Sequence, residues 1–106
     1  MALTPAVFLD KDGTVLKDVP YNADPDRMYF APGAREGLCR LYGLGVPLIV
    51  VSNQPGIALG IFSMADLLVV HRRLDVMFRE AGAVLTDFYY CPHHPKALDP
   101  RYAHTC

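Results

Sequence analysis

The run Ala6-Val7-Phe8-Leu9-Asp10-Lys11-Asp12-Gly13-Thr14 passes from four apolar residues straight into a turn with two carboxylates. Aliphatic and aromatic residues without polar alternation suit a short strand of a parallel sheet. Asp10 and Asp12 flank one residue, and positions i and i+2 of an extended or turning segment project to the same side, so the two carboxylates can converge. Gly13 permits tight backbone geometry, and the amides after it can form an anion-binding nest. Two carboxylates plus amide donors suit a divalent cation bridging to a phosphate. An Asx-rich turn that merely closes a strand uses the same residue types. An EF-hand does not fit, because Val15 stands where that loop needs Gly and Tyr21 where it needs Glu. The glycine-lysine phosphate loop of nucleotide hydrolases is absent too.

The pattern repeats downstream. Residues 46–51 are again nearly all aliphatic and lead into the polar loop Ser52-Asn53-Gln54-Pro55-Gly56. Between the two strands, Pro32-Gly33 opens a helix through Tyr42, with Leu38, Leu41 and Tyr42 as its inward face and Gly43 and Gly45 as its stop. Ser63 with Asp66 three residues on predicts the N-cap of a helix to about residue 81, with Leu67, Val70, Leu74, Met77, Phe78 and Ala81 as its apolar stripe. Residues 86–90 are a third strand candidate. Strand, helix, strand, helix, strand, without polar alternation in the strands, predicts an α/β domain whose parallel sheet is covered on both faces. Ligands of such sheets bind outside the carboxyl ends of the strands, where both polar clusters fall.

The whole chain is 106 residues, which allows one small domain, residues 1–106. Hydrophobic residues at 52% and charged residues at 20% argue against disorder. Ten Lys plus Arg against eleven Asp plus Glu leave a net charge of −1, with no basic surplus for nucleic-acid binding. No apolar stretch reaches membrane-spanning length, and residues 1–5 lack the basic start of a signal peptide. The expectation is a cytoplasmic protein with no nucleic-acid or membrane partner, a monomer that could associate through its open sheet edge. Its three Cys are then expected as thiols or metal ligands. Cys39, beside Leu38, is expected in the core, and His71 on a boundary.

Phe8-Leu9-Asp10-Lys11-Asp12-Gly13-Thr14, then Val50-Val51-Ser52-Asn53-Gln54, resembles the haloacid dehalogenase superfamily of phosphohydrolases. With Ser52-Asn53-Gln54-Pro55-Gly56-Ile57-Ala58 and Tyr89-Tyr90-Cys91-Pro92-His93-His94-Pro95, it looks more narrowly like the heptose-bisphosphate and histidinol-phosphate phosphatases. The resemblance implies a Rossmann-like three-layer α/β sandwich and a Mg²⁺-dependent phosphomonoesterase acting on a small phosphorylated metabolite, with a heptose bisphosphate favoured over histidinol phosphate. It implies that Asp10 is the nucleophile and Asp12 the acid and base, with Mg²⁺ on a carboxylate oxygen of Asp10 and the carbonyl of Asp12. It implies that the Ser52 hydroxyl donates to the transferring phosphoryl group, that Asn53, Gln54 and Pro55 line the substrate pocket, and that residues 18–21, with Asp18 and Tyr21, line it from another segment. One departure is Leu59, where the family commonly carries Arg in a Gly-Ile-Ala-Arg-Gly run, which puts part of the substrate affinity in question.

Cys91 and His93, with Cys106 twelve residues beyond His94, suit tetrahedral zinc chemistry, although three ligands do not close a structural site. A His-rich exposed turn reads the same way. The resemblance implies structural Zn²⁺ on Cys91, His93 and Cys106, with a fourth Cys that would lie beyond Cys106. It also implies a later Lys that neutralises phosphoryl charge and a further strand with acidic Mg²⁺ ligands; Lys11, Lys17 and Lys96 stand in other contexts. The expectation is therefore the N-terminal portion of a phosphatase fold, broken off after about three strands. It is either an enzyme lacking part of its site or a catalytically inactive fragment that binds metal or phosphate.

Overall fold

The computed structural model describes residues 5–97 and 99–104. Its strands are β1 (Val7–Asp10), β2 (Leu48–Asn53) and β3 (Leu85–Cys91), and its helices α1 (Ala34–Tyr42), α2 (Pro55–Ala58) and α3 (Met64–Glu80). Two 3₁₀ turns, Pro25–Arg27 and Pro100–Tyr102, complete the regular structure. The expected strands and long helices are all present, shifted by one or two residues at their ends. The four-residue α2 had no sequence signal of its own, being a single turn started by Pro55.

The sheet is parallel in the order β1-β2-β3. Val7 pairs with Leu48 and Asp10 with Val51, while Val51 in turn pairs with Tyr89 and Asn53 with Cys91. Asp10, Ser52 and Cys91 therefore arrive together at the carboxyl edge. That edge is where the expected site belongs.

Both crossovers step in one direction across the sheet, and right-handed crossovers that do so place their helices on one face. Leu38 of α1, Leu67, Val70, Leu74, Met77 and Phe78 of α3, and Leu48, Val50 and Phe88 of the sheet accordingly form one buried cluster. The opposite face shows Phe8, Val51 and Tyr89 to solvent. The expectation of a sheet covered on both faces fails here for this topological reason. Reversing direction, with a strand added beyond β1, is what would place helices on the second face.

Ser63 caps α3 as expected. Its Oγ accepts from Asp66 N at 3.1 Å, and Asp66 Oδ2 accepts from Ser63 N at 2.9 Å, a reciprocal box worth about 1 kcal/mol. Ala81, the last residue of the expected stripe, is buried just past the helix end. On α1 only Leu38 is buried; Leu41 is half-buried and Tyr42 is exposed. Cys39 is exposed rather than in the core, because the turn of about 100° from Leu38 carries it off the inward stripe. His71 lies at the boundary, its ring 5.1 Å from that of Phe88.

Between β1 and α1 the chain forms a flap. Lys17 N donates to Tyr29 O and Ala31 N to Val15 O, both at 2.9 Å, and Leu16 bridges antiparallel to Phe30. Val15, Leu16 and Met28 are buried and fasten the flap to the core, leaving residues 18–22 beside the carboxyl edge of the sheet. Among the described residues, no helix is long and apolar enough to cross a membrane.

Candidate phosphoryl-transfer site

Asp10 ends β1 with its side chain exposed, and the chain then turns back on itself. Val15 N donates to Asp10 O at 3.3 Å, Leu16 N to Lys11 O at 2.9 Å and Gly13 N to Leu16 O at 2.8 Å. Gly13 adopts φ +83°, a left-handed conformation that costs glycine nothing. These amides close the turn internally. The nest expected after Gly13 therefore does not have the Gly13, Val15 and Leu16 donors to offer.

Two clefts open at this edge. The first, of about 340 Å³, is lined by Asp10, Val51, Ser52, Asn53, Tyr89, Tyr90 and Cys91. The second, of about 360 Å³, is lined by Asp12, Asp18, Val19, Pro20, Tyr21, Asn22, Asn53, Gln54 and Pro55. Asn53 belongs to both, so the two clefts adjoin. Asp10 and Ser52 share one cleft, while Asp12 shares the other with the flap residues. The sequence thus named a set that folding brings to one edge of the sheet, across three separate segments.

Lys11, read in the sequence only as a lysine outside the expected context, has a structural place of its own. It is 1% exposed, and its Nζ lies 2.9 Å from Asp12 Oδ1. A signal existed: position 11 lies between two outward carboxylates, so alternation directs it inward. Such inward Lys is rare and needs a partner, which Asp12 supplies.

In the β2–α2 loop, Gln54 Nε2 donates to Ser52 Oγ at 2.8 Å, and Gln54 N donates to Cys91 O at 2.8 Å, tying the loop to the end of β3. Tyr21 holds φ +50°, which a residue with a Cβ adopts at some cost. Its neighbour Asn22 fixes the flap, with Nδ2 donating to Arg27 O and Oδ1 accepting from Asp24 N, each at 3.0 Å. Tyr89, also unforeseen, has its phenol pKa raised above the usual tyrosine value, first by a hydrogen bond to Asp87 and then by repulsion from that carboxylate.

In the tail, Cys91 Sγ and His93 Nδ1 lie 3.3 Å apart, and the His93 ring packs edge-on against that of His104 at 5.2 Å. Cys106, the third expected zinc ligand, lies outside the described residues. Among the described residues, no group of three His, Cys, Asp or Glu side chains is arranged to hold a metal ion. Among the described residues, Cys91 and His93 are the two expected zinc ligands that stand together, and Cys91 is disulfide-bonded, against the expectation that the cysteines are thiols or metal ligands. Magnesium makes a smaller demand, being held by one or two carboxylates with waters and substrate phosphate. The hard oxygen donors of Asp10 and Asp12 at the rim of the clefts fit that chemistry.

A parallel α/β sheet with two carboxylates at the carboxyl end of one edge strand and a serine loop on its neighbour is the arrangement that the resemblance to haloacid dehalogenase-like phosphatases implies. The comparisons sharpen this. The chain is 40% identical over 102 residues to the D-glycero-beta-D-manno-heptose-1,7-bisphosphate 7-phosphatase of Photorhabdus laumondii, covering 96% of this chain and 54% of the relative. It is 35% identical to the enzyme of the same name from Escherichia coli strain K12, over 96% of this chain and 53% of that relative. Among solved structures, a HAD-like phosphatase from Mesorhizobium loti superposes with TM-score 0.88 at 32% identity, over 97% of this chain and 49% of that one. The D,D-heptose 1,7-bisphosphate phosphatase from B. bronchiseptica, solved with magnesium and phosphate, gives TM-score 0.77 at 29% identity over 86% of this chain and 51% of that one. No protein-family model matches the chain. The similarity read from the motifs therefore holds along nearly the whole chain, which spans about half the length of the curated relatives it matches.

Proposed function

We propose that this chain carries the nucleophile-bearing part of a Mg²⁺-dependent phosphomonoesterase whose substrate is a phosphorylated sugar of the heptose bisphosphate class. The observation that carries the reading is the placing of Asp10 and Ser52 on one cleft at the carboxyl edge of a parallel sheet. The names of the relatives favour the heptose substrate over histidinol phosphate.

In this reading a carboxylate oxygen of Asp10 attacks phosphorus. The P–O ester bond breaks, and the leaving sugar oxygen takes a proton from Asp12. Asp12 then removes a proton from water, whose oxygen attacks the same phosphorus, releasing inorganic phosphate and restoring the Asp10 carboxylate. The Ser52 hydroxyl donates to a phosphoryl oxygen, where developing charge strengthens the bond. Asp18, Tyr21, Asn53, Gln54 and Pro55 bound the space for the sugar. Bound Mg²⁺ would offset the repulsion between carboxylate and phosphate, held by Asp10 and the carbonyl of Asp12. Zinc on Cys91, His93 and Cys106 would be structural, and it would need Cys91 as a thiolate rather than in its disulfide. The substrate is a small phosphate ester, and the proposal includes no nucleic-acid or membrane partner.

The test is release of inorganic phosphate from heptose 1,7-bisphosphate with Mg²⁺, run beside Asp10→Asn. Turnover that disappears in Asp10→Asn supports the reading. Equal rates in the two proteins would overturn it, and a chain without turnover would leave the binding-fragment alternative in its place.

A further inference from the structure

The Ser52 hydroxyl is approached on its acceptor side from within the protein. Gln54 Nε2 donates to Ser52 Oγ at 2.8 Å, and Gln54 is 4% exposed. The Gln54 backbone is itself fixed, its N–H donating to Cys91 O at 2.8 Å. A serine hydroxyl has one hydrogen and two lone pairs. With a lone pair engaged by Gln54, the hydrogen must point elsewhere. Within the loop it reaches Asn53 O at 3.4 Å, well beyond the usual 2.7–2.8 Å of a good O–H···O bond. The hydroxyl is thus held as a donor whose present acceptor is a poor one.

We propose that Gln54 is a positioning residue that acts through Ser52: by donating to Oγ it commits the hydroxyl to donate to a phosphoryl oxygen. This rests on the reading of Ser52 given under Proposed function, and it changes what is expected of Gln54. The resemblance made Gln54 a pocket-lining residue, yet its amide nitrogen is spent on Ser52. Two physical effects follow from that bond. A rotor with three staggered positions is biased before the ligand arrives, which lowers the entropy lost on binding. An oxygen that accepts a hydrogen bond also becomes a better donor through its own hydrogen.

The inference is tested by titrating the full chain with inorganic phosphate in saturating Mg²⁺, followed by calorimetry, for wild type, Ser52→Ala, Gln54→Met and the double variant. One hydrogen bond to a charged group sets the scale, so Ser52→Ala is expected to weaken phosphate binding about tenfold. Gln54→Met is expected to weaken it about threefold to tenfold on the same grounds, although it removes no group that touches phosphate. The double variant is expected to bind no more weakly than Ser52→Ala, because Gln54 has nothing left to act through. If the two losses multiply, Gln54 acts independently of Ser52; the inference is then overturned while the phosphoryl role of Ser52 stands. If Ser52→Ala binds phosphate as wild type does, the assignment of Ser52 fails and takes the inference with it. Should Gln54→Met not fold, the side-chain amide resonance of Gln54 decides the matter in Ser52→Ala, where Gln54 is intact. A large shift from its wild-type position supports the bond, and an unmoved resonance overturns it.

Discussion

Lys11 Nζ lies 2.9 Å from Asp12 Oδ1, with the lysine side chain almost wholly buried and the carboxylate about one-third exposed. The pair is lopsided. Asp12 can be hydrated without its partner, but Lys11 has no comparable access to water.

Removing either member should therefore have unequal effects on stability. Lys11→Met keeps the stem's volume, removes the buried charge and leaves Asp12 in water, so it should change stability by less than about 1 kcal/mol. Asp12→Ala strands an ammonium in the interior and should cost about 3 kcal/mol. Urea denaturation of the two variants measures this directly. Equal losses would mean that the lysine finds water or another acceptor. The asymmetry also means that an inactive Asp12→Ala chain should be checked for folding before its chemistry is interpreted.

A side chain at Gly56 should cost stability, because the Phe62 ring occupies the space it would need. A Cβ built there would overlap the Phe62 ring at Cε1, Cζ and Cδ1, so Gly56→Ala must displace that ring. Overpacking of this kind costs about 1–3 kcal/mol. The displaced segment follows the Ser52 loop directly, and thermal denaturation of Gly56→Ala should show a lowered midpoint. An unchanged midpoint would show that the ring moves freely.

Tyr21 sets stability against binding. Its φ of +50° is strained for tyrosine, and its exposed ring makes a modest packing contribution. Tyr21→Gly should relieve about 1 kcal/mol of backbone strain, partly offset by the greater freedom of glycine in the unfolded chain. The same change strips the second cleft of its aromatic wall. Chemical denaturation should find the variant no less stable than wild type, and sugar-phosphate titration should find weaker binding. A less stable variant would refute the strain argument.

Tyr89 carries a pH dependence. Its phenol is held above the usual tyrosine range by Asp87, so the folded chain favours the neutral phenol. The associated stability is complete below the unfolded tyrosine value, near pH 10, and is lost as pH rises through the higher folded value. Ultraviolet titration of tyrosinate should find one phenol ionising late in the wild type and normally in Asp87→Asn. An identical curve in the two proteins would remove Asp87 as the cause.

The parts of the fold legible in the sequence are those set by local pattern. The apolar runs at residues 6–9 and 46–51 read as strands of a parallel sheet, and Ser63 with Asp66 marked the start of α3 to the residue. The open face of Phe8, Val51 and Tyr89 was not legible, because which face a helix covers follows from the direction of the crossovers. The candidate site was legible where polar residues close an apolar run, as Asp10 and Ser52 do at the ends of β1 and β2. It was illegible where the flap decides it. Asn22 holds that flap through contacts with Asp24 and Arg27, and nothing in its neighbours' composition announces this. After Gly13, the Val15 and Leu16 amides close the turn itself, so those two donors do not face a ligand.

In the proposed reaction a carboxylate oxygen of Asp10 is the nucleophile that takes up the phosphoryl group. The most direct test is to quench the chain during exposure to heptose bisphosphate and Mg²⁺, reduce any acyl phosphate with borohydride, and locate the reduced residue by peptide mass spectrometry. Reduction at position 10, present in wild type and absent in Asp10→Asn, is the predicted result. Reduction at another carboxylate, or substrate turnover with no reduced residue, would contradict the account.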